Sequence, residues 1–245
     1  MNTKHILLTS ALVVSALAFT SCEDFFDTSS KKDLNTETAY SNLESAEMAL
    51  VGCYDGWQRT ISDEGVGMYL LAEFASEQAF AGLGLSDAKN NNVIDQFNLG
   101  IAPSYNDIFN VDWQNYYKAI FRCNQLIVQE DNIDWAGDIK AQGRVMGEAH
   151  AIRGILYFDL VRMFGDVPLL TAPSEENIPR SPASDVYQLI FEDFKYAIEH
   201  IPADAYPLDN NDTNDGRITK YAAEALMARA YLYHTGYYGA EHPSC

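Results

Sequence analysis

This sequence of 245 residues predicts an all-α fold of helical hairpins with long ligand-binding loops between them. Three observations carry that reading. From Thr38 onward, apolar residues recur at steps of three and four, the spacing that lines one side of an α-helix. Alternating apolar and polar runs of strand length are absent. Helix punctuation stands where the periodic runs begin and end, with Asp112 and Thr219 at starts and Gly165, Pro168 and Pro202 at ends.

The first helix carries Leu43, Ala46, Leu50, Tyr54, Trp57 and Ile61 on one face. A second is expected to begin near Asp112, whose carboxylate suits the free N–H groups of a first turn. It continues through Trp113, Tyr116, Ile120, Cys123 and Ile127, which places Cys123 in the core. A third turns Val145, Ala149, Ile152, Leu156, Leu160 and Met163 inward and stops at Gly165. A fourth runs from about Ser184 through Val186, Ile190, Phe194, Ala197 and Ile201. A fifth follows Thr219, with Ala223, Leu226, Ala230 and Tyr233 facing inward. Counting from Asp185 to Thr219 gives 219 − 185 = 34, the tetratricopeptide period, and the alanines at 222, 223, 225, 228 and 230 allow the close approach that stacked hairpins need. The stretch around Val167 to Leu170 has room for a short extended piece at most.

Between the first two helices lies Ser62 to Val111, of which Met68 to Phe80 is expected to be partly helical. The remainder is too long for a mere connection, and loops of that size usually serve function or stay unfolded. Its aromatics (Tyr69, Phe74, Phe80, Phe97, Tyr105, Phe109) offer flat apolar faces, and Asp87 with Asn90, Asn91 and Asn92 offers paired donors and acceptors. Sugars are recognised through that mixture, because their C–H faces pack on rings while their hydroxyls need amide or carboxylate partners. The alternative is that the rings are core and the asparagines a solvated turn.

Composition narrows the function further. Sixteen Lys+Arg against 35 Asp+Glu give a net charge of −19, which repels nucleic acid. Hydrophobic residues at 47% and charged residues at 21% describe a chain with a core rather than a solvated acidic tail. Cys22, Cys53, Cys123 and Cys245 form no C-x-x-C pair, so a zinc ribbon and a thioredoxin-type redox motif are both excluded, and a disulfide framework does not suit a chain this long. No metalloprotease H-E-x-x-H, hydrolase G-x-S-x-G or phosphate-binding G-x-x-x-x-G-K-[ST] occurs, and no cofactor motif points elsewhere. His150, beside Glu148, reads as a packed or surface histidine. A glycosidase carboxylate pair is a matter of three-dimensional separation that sequence does not give. The acidic run Asp209 to Gly216 fails as a calcium loop, because aligning Gly216 to the turn glycine puts Ala222 where a bidentate glutamate belongs.

The first residues are an export signal: Lys4 and His5 precede an apolar run, Ile6 to Phe19, that is shorter than the roughly 20 residues a membrane-spanning helix needs. Ala18-Phe19-Thr20-Ser21-Cys22 resembles a bacterial lipobox, in which Cys22 is acylated and becomes the new N-terminus after cleavage. The expected organisation is a signal peptide over residues 1–21, a lipid-anchored linker over 22–37 and a helical domain over 38–245. Several acyl chains on one residue anchor stably, since each buried CH₂ contributes about 0.8 kcal/mol.

The run from Glu148 to Leu169, EAHAIRGILYFDLVRMFGDVPL, resembles the E-x-x-x-x-R-A-x-x-Y-F-x-L-V-x-x-F-G-D-V-P signature of SusD/RagB outer-membrane lipoproteins and departs from it only at Gly154. Supporting pieces are the lipobox followed by Glu23-Asp24-Phe25-Phe26-Asp27, the segment Trp113 to Asn124 similar to the family's W-x-x-x-Y-x-x-I-x-x-C-N, Arg180 ahead of Val186-Tyr187, and Gly216 to Ala223. The resemblance implies a tetratricopeptide-like scaffold, a lipid anchor at the outer membrane and cell surface, and a partner, a SusC-like TonB-dependent transporter. It implies binding of an oligosaccharide or other nutrient without chemistry. It also implies that Phe80, after Glu77-Gln78-Ala79, is the aromatic of the cradle, where the starch-binding prototype has a tryptophan, with Asp87 and Asn90 to Asn92 as polar partners. Family members are about twice this length, so the sequence is expected to be a fragment. The competing functions are a surface glycan hydrolase and a helical-repeat scaffold for proteins.

Overall fold

The computed structural model describes residues 40–62, 66–76, 78–82, 89–98, 100, 105–174, 176–206 and 216–239. The expected signal peptide, Cys22 and the linker lie outside the described residues, as do Asp87 and most of the acidic run 209–216. Seven α-helices form among the described residues: α1 Leu43–Ser62, α2 Gly67–Ala75, α3 Lys89–Asp95, α4 Tyr105–Ile127, α5 Ile139–Phe164, α6 Ala183–His200 and α7 Lys220–Tyr238. A single 3-10 turn, Glu130–Asn132, follows α4. No strand occurs among the described residues, only isolated bridges between Asn42 and Asp134 and between Val167 and Ser181.

Side-chain pairings give the helix directions. Arg122 of α4 reaches the Gly52 carbonyl of α1, while Gly56 lies against Ala119, so α1 and α4 run antiparallel. Asn124 meets Arg153 and Tyr116 meets Asp159, which makes α4 and α5 antiparallel as well. Gly143 faces His200 and Gly154 faces Phe194, so α5 and α6 form the next hairpin. Tyr187 packs on Tyr238 and Phe191 on His234, turning α7 back along α6. Glu47 pairs with Arg144 and Tyr54 with Glu148, so α1 and α5 lie parallel. Hairpins whose first helices align in parallel are the stacked arrangement that the sequence predicts.

Helix α5 is encased rather than one-sided. Apart from the half-buried His150, every residue from Val145 to Phe158 is buried, because α1, α4, α6 and α7 all pack on it. The expectation of a single inward face was too narrow: Met146, Ala151, Ile155, Tyr157 and Phe158 are buried beside Ile152 and Leu156. Each fully buried Leu or Ile contributes about 1.5–3 kcal/mol relative to exposure. Close approach of α6 requires Gly143, where a Cβ would stand 2.5 Å from the His200 carbonyl oxygen.

Local caps agree with the sequence. Asp138 accepts from the Ala141 N–H at the start of α5, and Thr219 from the Ala222 N–H at the start of α7. Gly165, with φ of 69°, closes α5, and Cys123 is fully buried as expected.

Four further expectations need correction. The second long helix, α4, begins at Tyr105 rather than near Asp112. Asp112 sits two turns inside it and caps α2 instead, its oxygens accepting from Val66 N at 3.2 Å and Gly67 N at 3.0 Å. Residues 62–111 are no single long loop: α2, α3 and the start of α4 lie within them, and the asparagine run is helical. On α7 only Ala223, Ala230 and His234 are buried. Leu226 is half-buried and Tyr233 exposed, because α6 covers one narrow stripe of that helix. The last two helices begin at Ala183 and Lys220, and 220 − 183 = 37, so the 34-residue period is only approximate here.

Candidate functional site

The polar residues of the Glu148 to Leu169 run hold the scaffold together. Glu148 is fully buried and accepts from the Tyr54 hydroxyl at 2.6 Å and the Tyr206 hydroxyl at 2.5 Å, with Arg144 at 3.3 Å and Arg217 at 3.6 Å. Tyr54 Oη in turn accepts from the Ile218 N–H, which binds the chain ahead of α7 to α1 and α5. Arg153 forks onto Asp193 of α6, Nε to Oδ2 at 2.9 Å and Nη2 to Oδ1 at 2.7 Å, and donates to Asn124 Oδ1 on α4 at 2.7 Å. Burial alone would raise the Asp193 carboxyl. Arg153 and His150 more than offset it and hold the pKa below the ordinary value.

His150 therefore belongs to the frame, with Nδ1 2.7 Å from Asp193 and its ring stacked on Tyr196 at 4.0 Å. Residues 166–170 are fastened along α4 and α5. The Tyr157 hydroxyl donates to the Leu170 carbonyl and accepts its N–H, Tyr117 donates to the Pro168 carbonyl, and Asn124 donates to the Leu170 carbonyl. Asp166 caps α6 through the Ala183 N–H, while its own carbonyl accepts from Arg180. These bonds commit Glu148, Arg153 and Asp193 to the frame.

The excursion between α1 and α4 is a different environment. A small core of Val66, Phe74, Ala81 and Ile94, joined by Leu71, Ala79 and Phe109, gives it its own packing. Asp112 fastens its beginning, and Gly67, with φ of 57°, allows the turn where a Cβ would stand 2.6 Å from the Thr60 carbonyl oxygen. Above that core the aromatics face out. Phe80 is 86% exposed, Phe97 75% and Tyr69 65%. Phe97 adopts a left-handed φ of 49°, rare for a residue with a side chain, and its N–H bonds to the Ile94 carbonyl. Asn91 is half-buried, Asn92 is buried with 5% exposure, and Asn90 lies on the same helix, α3. Burial of Asn92 turns its amide toward the protein.

Helix α2 also walls a cleft of about 650 Å³ shared with α1, α5, α7 and residues 216–218. Trp57, Tyr69, Phe158 and Tyr233 supply rings, and Glu73, Asp159, Arg162, Arg217 and Arg229 supply charge. Arg162 lies 4.0 Å from the Phe158 ring centroid and pairs with Asp159, whose carboxyl burial pushes up and Arg162 partly restores. The Tyr233 hydroxyl is held below the ordinary tyrosine value by its hydrogen bond to Arg162. Rings beside charged donors suit a polyhydroxylated ligand. Sequence reading missed this cleft, because its arginines, Arg162, Arg217 and Arg229, come from three separate segments.

A family model described as starch-binding associating with outer membrane matches residues 24–232. The chain belongs to the SusD-like family. The SusD-like protein P38 of Formosa agariphila is 24% identical over 97% of this chain and 44% of its own length. A SusD-like protein of Bacteroides ovatus is 24% identical over 95% of this chain and 41% of its own length. Among solved structures, a SusD homologue from Bacteroides thetaiotaomicron superposes with a TM-score of 0.65 and 28% identity, covering 82% of this chain and 38% of that one. A laminarin-binding SusD-like protein gives 0.64 and 28%, covering 80% and 41%. The chain spans less than half the length of the curated SusD-like relatives it matches.

Proposed function

We propose that this SusD-like protein is a cell-surface lipoprotein that binds a glycan and hands it to a SusC-like TonB-dependent transporter without altering it. Residues 1–21 are the export signal, Cys22 carries the acyl anchor, residues 22–37 are the tether, and the helical domain follows. Phe80 is the principal aromatic of the binding surface, and the observation that carries this is its 86% exposure on an excursion with a core of its own. A large ring left in water at that place is poised to stack on a sugar face. Asp87 and Asn90 to Asn92 flank it in sequence as its polar partners. Likeness to a laminarin-binding relative makes laminarin oligosaccharides the first ligands to try.

The test is calorimetric titration of the protein and its Phe80→Ala variant with laminarin and starch oligosaccharides. Loss of one stacking ring weakens affinity by about 1 to 3 kcal/mol. Equal affinity of variant and parent would place the cradle elsewhere, and product release during titration would favour a hydrolase.

A further inference from the structure

Along α4 a hollow of about 680 Å³ opens against the strap of residues 170–174. Its floor is an aromatic row at four-residue spacing, Trp113, Tyr117 and Phe121, and its rim carries Lys118 and Arg122. Lys118 and Arg122 also line a second hollow of about 280 Å³, together with Arg59, Gly56 and Asn115. Among the described residues no carboxylate lines either hollow, on a chain with 35 acidic and 16 basic residues. Asp55 pairs with both Arg59 and Arg122, and Lys118 makes no ion pair among the described residues.

The aromatic row is held in place from behind. Trp113 and Tyr117 lie 4.9 Å apart between centroids, Phe164 meets Trp113 edge-on, Arg180 lies 5.3 Å from the Trp113 ring centroid, and the Tyr117 hydroxyl is tied to Pro168. Fixed rings beside Lys118, which has no ion-pair partner among the described residues, and beside Arg122 make a site for a ligand that is both flat-faced and anionic. A polyanion of nucleic-acid length would be repelled by the chain as a whole, so the ligand is a short one.

We infer that this groove is a second carbohydrate site, selective for an oligosaccharide bearing an acidic group. Sugar rings lie on Trp113, Tyr117 and Phe121, and the acidic group sits between Lys118, Arg122 and Arg59. The assignment rests on the glycan-binding reading above. The acidic group is a carboxylate or a sulfate, and two probes separate these.

The protein and its Lys118→Ala, Phe121→Ala, Phe80→Ala and Lys195→Ala variants are titrated with a galacturonic acid tetrasaccharide, a sulfated carrageenan tetrasaccharide and a neutral laminarin oligosaccharide. The expected result is binding of at least one acidic probe, weakened about tenfold or more by Lys118→Ala and by Phe121→Ala. That binding should weaken as salt rises, and Lys195→Ala, an exposed lysine outside the groove, should not change it. Preference for the uronate or the sulfated probe identifies the acidic group. Absence of binding to both acidic probes overturns the inference, even if laminarin binds and the receptor reading stands. Acidic binding lost in Phe80→Ala but kept in Lys118→Ala also overturns it, by relocating the ligand to the excursion.

Discussion

Replacing Asp193 by asparagine keeps the side-chain shape and removes the charge that faces Arg153 inside the stack. In the native protein the Arg153 side chain is 5% exposed and that of Asp193 1%, and the two share a two-pronged bond of 2.9 and 2.7 Å. Breaking one side of such a pair leaves a buried guanidinium without its counter-charge, at a cost of about 3–5 kcal/mol. With a urea dependence of about 2 kcal/mol/M, the unfolding midpoint should fall by about 1.5–2.5 M, read by circular dichroism at 222 nm. The pH dependence follows from the depressed carboxyl pKa. Its stabilisation is fully present above the unfolded carboxylate value of about 3.9 and is lost as pH falls through the lower folded value, so the gap between parent and variant should close in acid. The double variant Arg153→Met with Asp193→Leu should recover most of the loss, because it removes both charges together. A midpoint shift below about 0.5 M at neutral pH would refute the view that this pair clamps α5 to α6.

Other expectations follow from the same frame. Gly143→Ala should destabilise the fold by about 1–3 kcal/mol in urea titration, since the new methyl meets the His200 carbonyl at the α5–α6 crossing; no loss would mean that the hairpin opens freely. Cys123 should resist iodoacetamide in the native protein and react once unfolded, because burial, with Cys53 beside it, pushes its thiol well above the ordinary value; rapid native alkylation, read by mass spectrometry of its peptide, would contradict the packing. Cys22→Ala should move the protein from the membrane to the soluble fraction in a cell fractionation, and unchanged retention would argue against acylation.

Helices α1, α5, α6 and α7 were legible because each is long enough for the three-and-four spacing to stand out, and α5, α6 and α7 also have a cap or stop in sequence. The shorter α2 was legible only as a partly helical stretch over Met68 to Phe80, and α3 was not, since nine and seven residues hold too few turns for periodicity to fix a helix. Asp112 misled for a physical reason. An aspartate has the same chemistry whether it caps its own helix or another, and only the fold shows that its targets are Val66 and Gly67, more than forty residues earlier. The Arg153–Asp193 fork joins residues 40 apart, a pairing that neither local spacing nor charge pattern encodes. At the candidate site, Phe80 was visible as an aromatic in a polar stretch, but its exposure was not. The inward turn of Asn92 depends on α3 forming, which the run of three asparagines does not suggest.

Because Asp112 reaches back to the Val66 and Gly67 N–H groups at the head of α2, one carboxylate well inside a long helix sets where the excursion starts. On the glycan-binding reading proposed above, new loop sequence beyond Gly67 would change the ligand surface while this distant cap stays in place, so specificity and frame answer to different residues.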